Sequence, residues 1–365
     1  MVFTDVAVVG AGPAGLSAAI ECAEAGANVI LIDENTKPGG QLFKQIHKFF
    51  GSREHHAGVR GFRIGEELLL RARKLDIDVW LNCEVCGIYG GTELWIVKNR
   101  RESRRLKARK IILATGATEN AVAFSGWTLP GVMGAGAAQT MINLHRVIPG
   151  NRVVMIGSGN VGVIVSYQLL QAGADVIAVV EAAPRLGGYG VHTAKLRRAG
   201  VPFFTSHTVL EARGKESVES VVIVRLDEYW KPVAGTEKEL EADTVCIAAG
   251  LTPLIELAML AGCEICFIPS LGGHVPVHDR RMRTSIESIY VAGDIAGVEE
   301  ASTAMEEGRL SGIHASASLG LYSADKEEEL SHQIWERLDV LRSGPFGEGR
   351  RKAKEKIISM KSMTQ

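Results

Sequence analysis

Two glycine-rich turns of one kind occur in this chain. Gly10-Ala11-Gly12-Pro13-Ala14-Gly15 follows the apolar run Val6-Ala7-Val8-Val9, and Gly157-Ser158-Gly159-Asn160-Val161-Gly162 follows Val153-Val154-Met155-Ile156. A strand, a tight G-x-G-x-x-G turn and a helix start form the context in which that spacing holds a dinucleotide. The first glycine permits the sharp turn, the second lets backbone approach a pyrophosphate, and the third lets helix pack on strand. The helix start then directs free N–H groups and the positive end of the dipole at the phosphates. One such turn suggests one dinucleotide. Two suggest a chain that carries two and moves electrons between them. Glycines that merely close two βα turns are the plainer reading, weaker for the first turn than for the second.

The elements around the turns repeat. Gly26 comes sixteen residues after Gly10, and Gly173 sixteen after Gly157; Ala25-Gly26-Ala27-Asn28-Val29 echoes Ala172-Gly173-Ala174-Asp175-Val176. The stretches between are rich in Ala, Leu and Ile, as a buried crossover helix requires. Each unit then enters a second apolar strand ending in acid: Val29-Ile30-Leu31-Ile32-Asp33-Glu34 and Val176-Ile177-Ala178-Val179-Val180-Glu181. An acid there accepts hydrogen bonds from ribose hydroxyls. Asp33 or Glu34 serves the first unit, with Asp33 preferred; Glu181 serves the second, where it favours NAD over NADP by repelling a ribose phosphate, although Arg185 nearby weakens that preference.

Composition narrows the field. The 365 residues suffice for two or three domains, and 46% hydrophobic with 23% charged residues is ordinary for a globular protein. A formal net charge of −1 provides no field for nucleic acid. No apolar stretch is long enough to span a bilayer. Met1-Val2-Phe3-Thr4-Asp5 leads into the first strand without a basic leader, so a cytoplasmic location is expected. Four of the six cysteines form C-x-x-C pairs, Cys83/Cys86 and Cys263/Cys266. Both pairs sit in strand-like sequence, where residues three apart face opposite sides. A metal or redox role is therefore disfavoured, and Cys22 and Cys246 read as small core residues.

Farther along, Pro38-Gly39-Gly40-Gln41 is a turn, and the segment to His56 carries His47, His55 and His56. These histidines are read as surface-loop residues, with substrate binding as the alternative. Ile64–Lys74 is expected as a helix, followed by antiparallel strands to about Ala108 with a basic hairpin tip at Asn99–Arg105. Ala114-Thr115-Gly116 ends another strand, and Ala292-Gly293-Asp294 ends a further one before a helix over Ala301–Ser318. Residues from about Ser323 are read as a solvated, charged helical tail or a subunit contact.

These markers, in this order, resemble the pyridine-nucleotide–disulfide oxidoreductase superfamily of flavoproteins with two dinucleotide-binding domains. The resemblance implies an α/β fold of two Rossmann-like domains, the NAD(P)-type one inserted in a split FAD domain. The expected division is 1–120 with 250–322 for FAD, 121–249 for the second nucleotide, and 323–365 for the tail. It implies FAD on Gly10, Gly12, Pro13, Ala14, Gly15, Asp33 or Glu34, Gly40, Gln41, Ala114, Thr115, Gly116, Gly293 and Asp294. Asp294 would bond a ribityl hydroxyl. The N–H groups from Ala301 and Ser302 would face the flavin pyrimidine edge, where negative charge gathers on reduction. NAD(H) or another adenine nucleotide falls to Gly157, Gly159, Asn160, Val161, Gly162 and Glu181. The disulfide reductases of the superfamily carry a cysteine pair after the first acidic strand or inside the inserted domain. Here Gly39-Gly40-Gln41-Leu42-Phe43-Lys44 has none, and Gly157–Cys246 has only Cys246, so disulfide reduction is not expected.

A narrower resemblance rests on Gly126-Trp127-Thr128-Leu129-Pro130-Gly131, Leu271-Gly272-Gly273-His274-Val275-Pro276, Ala292–Ala301 and Glu307-Gly308-Arg309-Leu310-Ser311-Gly312. These look like the alpha-type subunits of multisubunit amine dehydrogenases and oxidases: sarcosine oxidase, dye-linked L-proline dehydrogenase, opine oxidase and hydrogen cyanide synthase. The implied function is an FAD-dependent oxidoreductase subunit passing hydride or electrons between FAD and NAD(H), or to a beta-type flavoprotein that oxidises the amine. An iron–sulfur group would lie on a further small subunit, since the last cysteine here is Cys266. A relay or scaffold subunit with a structurally held nucleotide, and a free-standing NAD(P)H oxidase or dye reductase, are the alternatives. No catalytic side chain is assigned, because hydride transfer between nicotinamide and flavin depends on stacking and orientation.

Overall fold

A computed structural model describes residues 1–363. The chain divides into two compact units, Met1–Thr118 with Thr252–Gln365, and Glu119–Leu251.

The first unit is built on a sheet in which Val2–Val9 lies between Val29–Ile32 and Glu102–Leu113, with Asp78–Trp80 beyond Val29–Ile32. These pairs are parallel. The strand Glu102–Leu113 has two roles. Its apolar end, Ile111–Leu113, pairs in parallel with Ile289–Val291. Its charged start, Glu102–Lys107, pairs antiparallel with Glu93–Lys98, which pairs in turn with Cys83–Tyr89. Burial follows that division: Ile111, Ile112 and Leu113 are wholly buried, while Glu102–Arg105 are exposed on the antiparallel part. The hairpin tip is shorter than the basic run suggests. Only Asn99 to Arg101 turn, with Asn99 and Arg100 left-handed, and the remaining basic residues belong to the strand.

Two helices cover one face, Pro13–Glu24 and Ala301–Ser318. Glycines let them approach closely. A Cβ on Gly308 would stand 2.1 Å from the carbonyl oxygen of Ala14, and one on Gly312 would stand 2.7 Å from that of Ala18. The helix expected at Ile64–Lys74 begins earlier, at Gly61, and ends as expected.

In the second unit five strands pair in parallel, in the order Phe203–Thr205, Asp175–Glu181, Arg152–Ile156, Thr244–Ile247, Val132–Gly134. The helix Asn160–Ala172 crosses over from the central strand. A three-stranded antiparallel sheet, His207–Arg213, Ser220–Arg225 and Lys238–Glu241, packs Val209, Val221 and Ile223 against Val154, Ile156 and Val245.

The tail departs from the solvated reading. Its helices Ala324–Leu341 and Gly344–Met363 bury Ile334, Leu338, Ala353 and Ile357. Arg342 and Lys354 are buried as well, because acidic side chains of the first unit meet them there. No described helix is long and apolar enough to cross a membrane.

Candidate functional site

In each unit the glycine turn caps a strand between two others. Gly10 N donates to Ile32 O at 2.8 Å and Ala114 N to Val9 O at 2.8 Å; Gly157 N donates to Val180 O at 2.7 Å and Ala248 N to Ile156 O at 2.7 Å. The first glycine of each turn is compulsory on two counts. Its φ is +102° at Gly10 and +101° at Gly157, and a Cβ there would stand 2.3 Å from the carbonyl oxygen of Ala114 or of Ala248. The third glycine is compulsory by contact, since a Cβ on Gly15 would stand 1.8 Å from Gly10 O and one on Gly162 2.2 Å from Gly157 O.

The middle glycine differs. A Cβ on Gly12 or on Gly159 would meet nothing within 4 Å. That side of each turn is therefore open. Each middle glycine is also a helix N-cap in extended conformation without a side-chain cap bond, before helices starting at Pro13 and Asn160. Open backbone at an uncapped helix start fits a phosphate group. Pro13 suits the first helical position, where an N–H would have no partner in the helix.

The acids sit beside the turns. Asp33 is buried; its Oδ2 accepts from Ala11 N at 2.7 Å, and its Oδ1 accepts from Asn35 N at 2.8 Å. Glu181 repeats this, accepting from Ser158 N at 2.8 Å and Ala183 N at 2.8 Å. Glu34, by contrast, is exposed.

A second loop lies over each turn. Gly39 N donates to Ala11 O at 2.7 Å, and a Cβ on Gly40 would stand 2.9 Å from Gly12 Cα. In the second unit Gly187 N donates to Ser158 Oγ at 3.0 Å, Tyr189 N to Asn160 Oδ1 at 2.9 Å, and a Cβ on Gly188 would stand 2.8 Å from Ser158 O. Sequence reasoning missed Gly187-Gly188. The signal was present, because each glycine doublet begins six residues after its acid, Asp33 or Glu181.

Gly293 joins the first cradle. Its φ is +74°, and a Cβ on it would stand 2.8 Å from Ala14 Cβ. Asp294 follows in the short turn Gly293–Ala296 and accepts from Glu299 N at 3.3 Å. Burial pushes its carboxyl up to about 6; the Glu299 N–H opposes that rise, while Glu307 adds to it. Ser302 is buried in the first turn of the next helix, with Ala301 partly so. Gln41 and Val161 are exposed. Thr115 directs its hydroxyl to Leu254 O at 2.7 Å, and Gly116 O accepts from Leu254 N at 3.0 Å, so this turn is fastened within the unit.

The histidines separate. His55 is buried, with Nδ1 2.9 Å from Ser52 Oγ and Nε2 3.7 Å from Glu306, and burial lowers its pKa. His56 lies 3.6 Å from Glu67, and His47 stacks on Phe49. Trp127 is exposed.

The thiols face apart in the strand Cys83–Tyr89, where Cys83 is buried and Cys86 exposed. Cys263 is buried and Cys266 partly so. Burial raises the thiols of Cys22 and Cys246 to about 12, far from a reactive thiolate.

The model of the family described as pyridine nucleotide-disulphide oxidoreductase matches residues 4–308. The chain belongs to that family. Members of this family are oxidoreductases that work with FAD and nicotinamide nucleotides. An opine oxidase subunit of Rhizobium meliloti is 32% identical over 88% of this chain and 64% of its own length. The HcnB subunit of hydrogen cyanide synthase from Pseudomonas aeruginosa is 31% identical over 84% of this chain and 69% of its own length. The alpha subunit of sarcosine oxidase from Corynebacterium sp. (strain P-1) is 28% identical over 87% of this chain and 33% of its own. The chain thus spans about two thirds of the first two relatives and a third of the last. Among solved structures, T. acidophilum thioredoxin reductase superposes with a TM-score of 0.72 at 22% identity, over 87% of this chain and 99% of its own. L-proline dehydrogenase from P.horikoshii gives 0.69 at 24%, over 92% and 59%. These two share the fold and bear out the α/β class with Rossmann-like units; the family match and the named relatives bear out the resemblance.

Proposed function

We propose that the chain is the FAD-carrying, alpha-type subunit of a multisubunit enzyme that oxidises an amine or amino acid. FAD belongs to the first unit, on Gly10–Gly15, Asp33, Gly40 and the Gly293-Asp294 turn, and an adenine nucleotide, NAD(H) by preference, belongs to the second, on Gly157–Gly162 and Glu181. Residues 119–251 are then the nucleotide domain inserted in the split FAD domain. One observation carries this reading: turn, acid and covering glycine loop occur together twice, with the phosphate-facing side of the middle glycine open each time. The names of the relatives, subunits of opine and sarcosine oxidases, support an amine donor and a partner chain.

Bound FAD supplies hydride and electron transfer. The chain's own residues orient and hold. Asp33 and Glu181 keep their turns in register and would accept from the ribose hydroxyls. The N-termini of the helices at Pro13 and Asn160 receive phosphates. With FAD bound, the helix start at Ala301 and Ser302 would favour negative charge placed before it. The burial of Cys22, Cys83, Cys246 and Cys263 supports electron delivery to a nucleotide or partner flavoprotein, rather than to a disulfide. A cytoplasmic location and a small iron–sulfur subunit complete the proposal.

A second reading, a relay subunit with a held nucleotide and no substrate of its own, is favoured by the bonds of Gly187 and Tyr189 across the second turn. Expression of the chain alone and with a beta-type flavoprotein separates the two. Anaerobic NADH bleaching a yellow protein supports transfer between its own cofactors. A protein indifferent to NADH, and reduced by proline or sarcosine only with the partner, supports the relay. A chain that stays colourless after reconstitution with FAD refutes both.

A further inference from the structure

Glu307 sits in the second turn of the helix Ala301–Ser318 and is 2% exposed. Its Oε2 accepts from Gly293 N at 3.1 Å. Its Oε1 accepts from Lys354 Nζ at 2.7 Å and from the guanidinium of Arg342. Lys354 Nζ also donates to Ala296 O at 2.9 Å. Arg342 donates to both carboxylate oxygens of Glu299, at 2.7 Å from Nη2 and 3.1 Å from Nε, and Glu299 N in turn reaches Asp294 Oδ1. The turn Gly293–Ala296 is therefore gripped at its first N–H by Glu307, at its last carbonyl by Lys354, and at the Asp294 carboxylate by the backbone N–H of Glu299, whose side chain Arg342 holds.

Two carboxylates and two cations, all nearly excluded from solvent, balance one another in this set. Burial alone would raise the Glu307 carboxyl; the facing Lys354 and Arg342 overcome that and hold it well below the usual carboxylate range. An apolar side chain in place of either cation would fill the same space without the desolvation cost of a buried charge, so packing alone does not account for them. A fully bonded buried network does fix the backbone it touches. Both cations lie beyond residue 308, where the family match ends. Arg342 caps the helix Ala324–Leu341, and Lys354 is carried by Gly344–Met363, whose Ile357 is wholly buried in a cluster with Leu271 and Val275.

We propose that Arg342 and Lys354 are positioning residues for the flavin. Through Glu307 both fix Gly293 N–H; Lys354 holds Ala296 C=O directly, and Arg342 holds Glu299, whose N–H reaches the Asp294 carboxylate that would meet FAD. The C-terminal helices are thereby part of the cofactor site rather than an appendage. The proposal rests on the placement of FAD in the first unit.

The test uses the full chain, stripped of flavin and titrated with FAD, with fluorescence quenching, the visible spectrum and the midpoint potential of the bound flavin as readouts. Lys354→Met is expected to weaken FAD binding by about tenfold or more, since it leaves a buried charge unbalanced. It should also change the visible spectrum and move the potential to more negative values, as loss of a nearby positive charge requires. Lys354→Arg should restore all three. A Lys354→Met chain that melts like its parent and binds FAD with unchanged affinity, spectrum and potential overturns the proposal. Should Lys354→Met fail to fold, Arg342→Lys carries the test: it keeps the charge but loses the fork between Glu299 and Glu307, and unchanged flavin properties overturn the proposal equally. A parent chain that takes up no FAD refutes the flavin reading itself, a result distinct from either variant outcome.

Discussion

Gly40 lies so close over Gly12 that a Cβ on the first would stand 2.9 Å from the Cα of the second. The left-handed φ of +53° at Gly40 allows the crossing. Gly187 and Gly188 cross the second turn in the same manner, through Ser158. The internal duplication therefore extends past the strand, helix and acid to the glycine loop that lies against each turn.

The glycines of one turn should separate into two classes. Gly12→Ala is expected to leave the stability of the flavin-free chain within about 0.5 kcal/mol, because its Cβ enters open space. It should weaken FAD binding by more than about tenfold, if that space receives the phosphate as proposed. Gly15→Ala should cost about 1–3 kcal/mol, because its Cβ would overlap Gly10 O. Denaturant melts and flavin titrations of both variants check this; equal FAD affinity in Gly12→Ala and parent would show that the cradle is wrongly assigned.

The two nucleotide sites should be separable by mutation. Gly159→Ala is expected to lower the nucleotide released from the second unit on acid denaturation, read by chromatography, with flavin content unchanged. Glu181→Ala strips the acceptor from Ser158 N and Ala183 N and should cost about 1–2 kcal/mol as well. Loss of flavin from Gly159→Ala would count against the assignment.

Asp294 predicts a pH signature in the flavin-free chain. Its folded carboxyl is raised from 3.8 to about 6, so between those values the folded state holds more proton than the unfolded one. Its contribution to stability falls as pH rises through that window, by about 2 kcal/mol once partial exposure is allowed for. His278 opposes it: burial and Lys354 lower its pKa to about 4, so its contribution falls as pH drops from 6.5 toward that value. The difference between the melting curves of parent and Asp294→Asn isolates the first effect. A difference that stays flat from pH 4 to 6 contradicts it.

Thiol reactivity provides a test independent of cofactors. A maleimide should label Cys86 rapidly in the folded chain, while Cys22, Cys83, Cys246 and Cys263 wait for unfolding. Cys86→Ala should leave NADH-dependent flavin reduction within about twofold of the parent, as expected for a residue remote from the chemistry. A loss of an order of magnitude would restore a thiol relay to consideration.

Much of the architecture was legible in the residues. The turns at Gly10 and Gly157, the helices after them and the acids at Asp33 and Glu181 are local: each depends on a neighbour a few residues away and on an alternation that one strand or helix imposes by itself. The doublet at Gly187-Gly188 was equally local, and was overlooked only because its reason, a loop laid over Gly159, is not a property of the doublet.

Sequence alone determined that this chain folds as two α/β units, each with an open backbone cradle beside an acid, since tight turns and buried parallel strands admit few residue types. Tertiary structure alone decided the rest. It turned Asp33 inward and left Glu34 in water. It also converted what reads as a solvated tail into part of the first unit, with Arg342 and Lys354 buried on Glu307 from 35 and 47 residues away. Charged side chains carry no local mark of burial. Whether one is inside depends on an opposite charge that the fold brings to it, and only the closed structure contains that pairing.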